Sequence, residues 1–294
     1  FECRTVNLTT EEVPQDADIL VLHCPTTDLT DAQIQSLDDF LSNDSTYGKN
    51  LIVTFMPSQA NLPKLNALLN EWGINMISDG SYIVESDSSR SVSGTQGLVP
   101  VLEKNTEDDS ILSGLANNSN LVLGYAPVPM EVISDSEYGL DVQTLLYTYD
   151  TAYMVPDDAD ENWEPGSEDY KSYPVLTNSR KAISIDGESR TSNVTVCAAA
   201  TIFDPDILAS SIIGSILSQS NLLNKDVLMD VLRDNTGTTE EENIVYIEST
   251  DVGATNMTMT ATQVQIVGLW IFVILVPMAV IIAGIVVWIR RRHL

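Results

Sequence analysis

The chain has 294 residues, of which 42 are acidic and 14 basic, for a formal charge of −28. All the acids but only 11 of the bases precede Ile266, so residues 1–265 carry −31. A field of that sign repels nucleic acid and anionic headgroups, and it favours solubility or the attraction of cations and basic partners.

In chain order, residues 18–23 (DILVLH) form a short apolar run bounded by Asp and Pro, which predicts a buried, parallel strand. A helix follows. Thr30 is its N-cap and Gln33 completes a capping box, with Leu29 and Ile34 placed as a hydrophobic staple. Ile34, Leu37 and Leu41 repeat at helical spacing, and the polar stretch from Ser42, broken by Gly48, ends the helix. Residues 51–56 (LIVTFM) predict a second strand, stopped by Pro57. A second helix has Leu65, Leu68, Leu69 and Trp72 as its apolar stripe and Gly73 beyond its end, and residues 74–77 continue as a third strand. Strand, helix, strand, helix, strand at this spacing predicts an α/β domain with a doubly wound layout.

The rest of the soluble part is less regular. Strands are expected at residues 121–126, 142–149, 181–185, 194–200 and 244–247, with an acidic loop over 153–173. A helix is expected after Asp204 and Pro205, carrying Ile207, Leu208, Ile212, Ile216 and Leu217, and another over 226–232. Residues 1–248 read as one outside domain and 249–265 as a polar linker. The chain starts at Phe1 without Met or an export signal, so a preceding signal or membrane segment is expected.

Residues 266–289 are 24 consecutive uncharged positions, enough to span a hydrocarbon core of roughly 30 Å. Trp270 and Trp288 stand 18 residues apart, ~27 Å along a helix, close to the spacing of the two aromatic belts. Arg290, Arg291 and Arg292 follow directly and mark the cytoplasmic side, so residues 290–294 are the cytoplasmic tail and the acidic domain lies outside. Pro277 lies mid-span, where a neighbouring helix can satisfy the freed carbonyl. Ala279, Ala283 and Gly284 offer a small-residue face for docking another membrane helix.

The search for chemistry returns no catalytic, metal or cofactor residue. The three cysteines, Cys3, Cys24 and Cys197, form no C-x-x-C pair; their odd number argues against a disulfide-stapled domain and leaves one bridge open. His23 is the one histidine outside the tail, and it directly precedes Cys24. Neighbours on a strand point to opposite faces, so the two are expected to serve strand-end packing. Asp158, Asp160 and Asn162 have the first spacings of an EF-hand loop, but Trp163 replaces the required glycine and Asp169 the final glutamate. Gly48-Lys49 lacks the upstream glycine of a phosphate-binding loop. Acid pairs for glycoside hydrolysis are open to chance among 42 acids. Sequons stand at Asn7, Asn43, Asn117, Asn193 and Asn256.

Several segments, in order, resemble the GldG family of ABC-transporter auxiliary proteins. They are residues 16–22 (DADILVL) with Pro25, residues 29–41 (LTDAQIQSLDDFL), residues 62–74 (LPKLNALLNEWGI), and the tail from Val273 to Leu294. The resemblance implies a flavodoxin-like domain similar to the class I glutamine amidotransferase sandwich, without that enzyme's catalytic residues. It also implies an ABC ATPase and a multi-span permease as partners, and it makes this chain a non-catalytic, cofactor-free auxiliary subunit at the plasma membrane. The family's N-terminal membrane helix and the first part of its domain have no counterpart here. The alternatives are a single-pass surface hydrolase, which needs two fixed acids in a cleft, and a receptor or adhesin carrying glycans on its sequons.

Overall fold

In the computed structural model, the first apolar run forms β1 (Ile19–His23) and pairs in parallel with β2 (Asn50–Thr54), Ile19 opposite Asn50 and His23 opposite Thr54. The structure describes residues 2–57, 61–133, 139–160, 162–203 and 222–237. These belong to one compact unit, residues 1–242; a second unit, residues 243–294, lies outside the described residues. The predicted membrane span, the linker before it, the late strand at 244–247 and the helix after Pro205 therefore all lie outside them. Among the described residues no helix is long and apolar enough to cross a membrane.

The connection from β1 to β2 is α1 (Asp31–Ser42). The predicted capping box is present: Gln33 N–H donates to Thr30 Oγ1 at 3.3 Å, and Thr30 N–H donates to Gln33 Oε1 at 2.8 Å. These contacts satisfy backbone donors that the first helical turn leaves without partners. The helix stops earlier than Gly48, because Asn43 already adopts a left-handed φ of 45° and sends its N–H back to Asp39. Asn tolerates that region better than most residues. Next comes α2 (Pro63–Glu71), whose stripe Leu65, Leu68 and Leu69 is buried together with Trp72. Leu62 at its N-cap supplies no side-chain bond. Asp28, from the β1–α1 loop, accepts from Lys64 N–H at 3.0 Å and Leu65 N–H at 3.2 Å and caps the helix from outside. Gly73 follows with φ +73°, and a Cβ there would stand 2.9 Å from the Ile133 carbonyl oxygen, so only glycine fits.

The third strand departs from the doubly wound expectation. β3 (Ile74–Met76) does not join β2; it pairs antiparallel with β7 (Met130–Val132) as a separate two-stranded sheet. The side chain of Asn66 on α2 explains part of this. Its Oδ1 accepts from Met76 N–H at 2.8 Å and its Nδ2 donates to Asn75 Oδ1 at 3.0 Å, so α2 itself fastens the strand.

The place beside β2 goes to β11 (Glu188–Cys197), parallel to it, with Asn193 opposite Asn50 and Cys197 opposite Thr54. β11 forms a hairpin with β10 (Pro174–Ile185) through Asp186 and Gly187, both at positive φ (53° and 85°) as a two-residue hairpin turn requires. β8 (Leu140–Tyr147), β5 (Val101–Lys104) and β6 (Val122–Leu123) add antiparallel strands. The seven-stranded order is β1-β2-β11-β10-β8-β5-β6. A further pair, β4 (Tyr82–Glu85) with β9 (Ala152–Val155), is antiparallel. The fold is thus α/β with a mixed sheet: three parallel strands at one edge and an antiparallel remainder.

The two faces of the sheet differ in chemistry. Leu51, Val53, Val194 and Val196 point to one face and join Leu37, Phe40, Leu41, Leu65 and Leu69 in the main core. Ser192 on this face donates to the Leu41 carbonyl at 2.7 Å and so places the end of α1 there. The other face sets buried polar groups beside the apolar Ile52, Leu176 and Cys197. Asn193 Nδ2 donates to Asn50 Oδ1 at 2.7 Å, and Thr195 Oγ1 donates to Asn178 Oδ1 at 2.8 Å. Over it lies α3 (Asn224–Thr236), tied by Asn235 Nδ2 to Thr195 Oγ1 at 3.1 Å and by an Arg180–Asp234 ion pair at 2.6 Å. Burial on this face is tolerated because most of the polar atoms find partners.

Candidate functional site

The three parallel strands end in register at His23, Thr54 and Cys197. The carboxyl ends of parallel strands are where open α/β sheets hold their ligands. Backbone bonds fix the ends to one another: Cys24 N–H donates to the Thr54 carbonyl at 3.1 Å, Phe55 N–H to that of Cys197 at 2.8 Å, and Ala200 N–H to that of Phe55 at 2.9 Å.

Here the structure corrects the expectation for His23 and Cys24. Alternation along a strand would send the two side chains apart, but Cys24 has already left β1, with a left-handed φ of 42°. That conformation is strained for a residue with a Cβ, and the more so before Pro25, which favours extended backbone in its predecessor. The turn brings Cys24 Sγ to 3.5 Å from Thr54 Oγ1. The same hydroxyl lies 2.9 Å from His23 Nδ1. It also accepts from Cys24 N–H at 3.1 Å. Thr54 is buried, Cys24 partly buried and His23 exposed, so the group opens from a packed base to solvent.

Burial pushes the Cys24 thiol up from its ordinary value, and the Thr54 hydrogen bond offsets only part of that. Cys197 is fully buried and is pushed up to about 12, chiefly by burial; its bond to the Ala199 carbonyl at 3.1 Å opposes this and nearby Cys24 adds to it. Both are therefore neutral thiols near pH 7. All three cysteines are free.

Carboxylates of the acidic loop bind its own backbone. Asp160 Oδ1 accepts from Asn162 N–H at 2.8 Å and Asp169 Oδ2 from Gly166 N–H at 2.6 Å, so these carboxylates shape the loop's own turns. Tyr153 anchors it against Trp163 and Tyr170, with ring centroids 6.0 and 5.5 Å away. Among the described residues no three His, Cys, Asp or Glu side chains gather at metal-binding distance. The sequon at Asn193 is occupied structurally: its side chain is buried and bonded to Asn50, which leaves a glycan no room on the folded protein. Glu85 is a buried carboxylate; its Oε1 accepts from Asp87 N–H at 2.8 Å, and its Oε2 has no partner among the described residues.

The membrane-anchor residues Trp270, Pro277, Trp288, Arg290, Arg291 and Arg292 lie outside the described residues, as do Ala279, Ala283 and Gly284 of the expected docking face. Thr54 is the residue sequence reasoning missed, since a threonine ending an apolar strand carries no signal of its own. The signal for Cys24 was Pro25, which marks the end of the strand and hence of the alternation. No protein-family model matches the chain, and no curated protein matches it as a relative.

Proposed function

We propose that this protein is a non-catalytic, membrane-anchored auxiliary subunit of an ABC-type transport complex, with its acidic α/β domain outside the plasma membrane. The observation that carries the reading is the order of elements at the start of the chain. The segments that resemble GldG proteins fold as β1, then α1 with its capping box, then α2 leading into β3. The remaining support is in the sequence: the uncharged stretch 266–289, its Trp270 and Trp288 belts, and Arg290 to Arg292 beyond it. In this reading Ala279, Ala283 and Gly284 dock the anchor against the permease. No cofactor enters the reading.

The finer fold assignment belongs with this proposal. A flavodoxin-like, amidotransferase-type sandwich accounts for β1–α1–β2, for the parallel placement of β11, and for helices α1 and α3 on opposite faces. It does not account for the antiparallel strands β10, β8, β5 and β6.

The test is recovery from native membranes in mild detergent, followed by mass spectrometry. An ABC ATPase and a multi-span permease are expected with the chain. Recovery of the chain alone, with both present intact in the same membranes, overturns the reading.

A further inference from the structure

We propose that Cys24 is a reactive thiol of this protein, served by a proton relay through Thr54 to His23, and that it forms mixed disulfides with small neutral disulfides. The proposal stands independently of the transport reading, because thiol chemistry and co-purification fail separately.

Three observations converge. The hydroxyl of Thr54 lies between the two groups, 3.5 Å from Cys24 Sγ and 2.9 Å from His23 Nδ1. Its one proton can serve either neighbour, and the relay uses the arrangement in which it goes to the imidazole. With His23 protonated on Nε2, Nδ1 accepts from Thr54, and Thr54 Oγ1 accepts from Cys24 S–H and N–H. This gives a directed chain, Cys24 S–H to Thr54 O–H to His23 Nδ1. Second, Cys24 is held in a left-handed conformation at the strand end, which aims it at Thr54 and away from the strand's own alternation. Third, the three residues are graded in exposure: Thr54 is buried, Cys24 partly buried and His23 open to solvent, so an electrophile can reach the sulfur and the imidazole can exchange its proton.

The chemistry balances without an outside oxidant. A small disulfide, R–S–S–R, approaches Cys24. Cys24 gives its proton to Thr54 Oγ1 as Thr54 gives its own to His23 Nδ1. Sγ attacks one sulfur, a Cys24–S–S–R bond forms, and the original S–S bond breaks. The leaving thiolate takes the proton from the imidazolium directly or through water. The relay is needed because burial keeps this thiol protonated near neutral pH, and only the thiolate attacks. Cys197 on β11, a titratable neighbour among the described residues, is fully buried and has its proton engaged on the Ala199 carbonyl, so it neither competes nor supplies a base.

The test uses the full chain carrying Cys3→Ser, which removes the exposed cysteine. Dithiodipyridine, a neutral disulfide, is the probe, and release of thiopyridone is followed in time. One fast equivalent per chain is expected, lost in Cys24→Ser. Thr54→Val, which keeps the shape and removes the hydroxyl, and His23→Gln should each slow that equivalent about tenfold or more near pH 7, within the range general-base assistance supplies. Both variants should then react appreciably only at alkaline pH, where the thiol ionises unaided. Thr54→Ser should restore the rate. The proposal is overturned if the fast equivalent survives Cys24→Ser. It is equally overturned if Thr54→Val and His23→Gln, with unchanged circular dichroism and urea midpoint, keep the parent rate and pH profile.

Discussion

The parallel edge of the sheet and its antiparallel remainder are built by different means. At the parallel edge β1 passes to β2 through a helix whose start, stripe and stop are each fixed by nearby residues: Thr30 and Gln33 begin α1, Leu37, Phe40 and Leu41 bury it, and Asn43 ends it. In the antiparallel part the strands meet across long stretches of chain. β8 lies between β10 and β5, and β5 pairs with the two-residue β6. Local instructions suffice for β1, α1 and β2, whereas β11, the third parallel strand, reaches β2 from far along the chain. The antiparallel part depends on contacts that form only once the chain has collapsed, and such contacts carry the larger loop-closure cost.

The comparison predicts no separate stability for the two regions, because their side chains share one core. Leu69 of α2 and Leu146 of β8 are both fully buried within it. Leu69→Ala and Leu146→Ala should each cost about 2–5 kcal/mol, the usual range for a buried leucine. Urea unfolding followed by circular dichroism should stay a single transition in both. Two transitions, with each substitution moving only one, would show that the halves fold apart.

A smaller effect sits where the parallel strands end. The Cys197 thiol ordinarily ionises near 9.0 and is pushed up to about 12 in the folded protein. The folded state thus holds this proton more tightly than the unfolded one. The contribution is present in full below about pH 9 and is lost as the pH rises toward 12, at up to about 1.4 kcal/mol for each step of one in pH. Cys197→Ala should flatten the decline in the urea midpoint between about pH 9 and 11, whatever fixed offset its cavity adds. An equally steep decline in the variant would remove Cys197 from the account. The smallest effect tests the local instructions. Thr30→Ala should cost about 1 kcal/mol through loss of the cap. A change far above that in the urea midpoint would mean that Thr30 holds more than the end of α1.

What the sequence made legible follows the same division. β1, α1, β2 and α2 were readable because capping residues, apolar stripes and breakers act within a few positions. The hairpin of β10 and β11 was harder, although Asp186-Gly187 is a strong turn signal. Its inward positions include Asn178, Ser179, Ser192, Asn193 and Thr195, all buried, so the apolar alternation that announces a strand is absent. Partners from elsewhere in the fold satisfy most of these groups, and a local reading has no access to them. β3 is legible as a strand but its neighbour is not, since the pull of Asn66 on Met76 is a tertiary contact. At the candidate site the alternation rule sends the side chains of His23 and Cys24 to opposite faces. The rule failed because Cys24 had turned out of the strand, and Thr54, which joins them, stands about thirty residues away.

The most direct test of the proposed role is quantitative co-purification from native membranes, comparing the wild-type chain with a variant carrying Ala279→Leu and Ala283→Leu. Wild type is expected to bring down an ABC ATPase and a multi-span permease in fixed proportion. The variant should stay in the membrane, keep its acidic domain folded and lose the permease. A wild-type chain that brings down neither partner, while both remain intact in the same membranes, contradicts the proposed role.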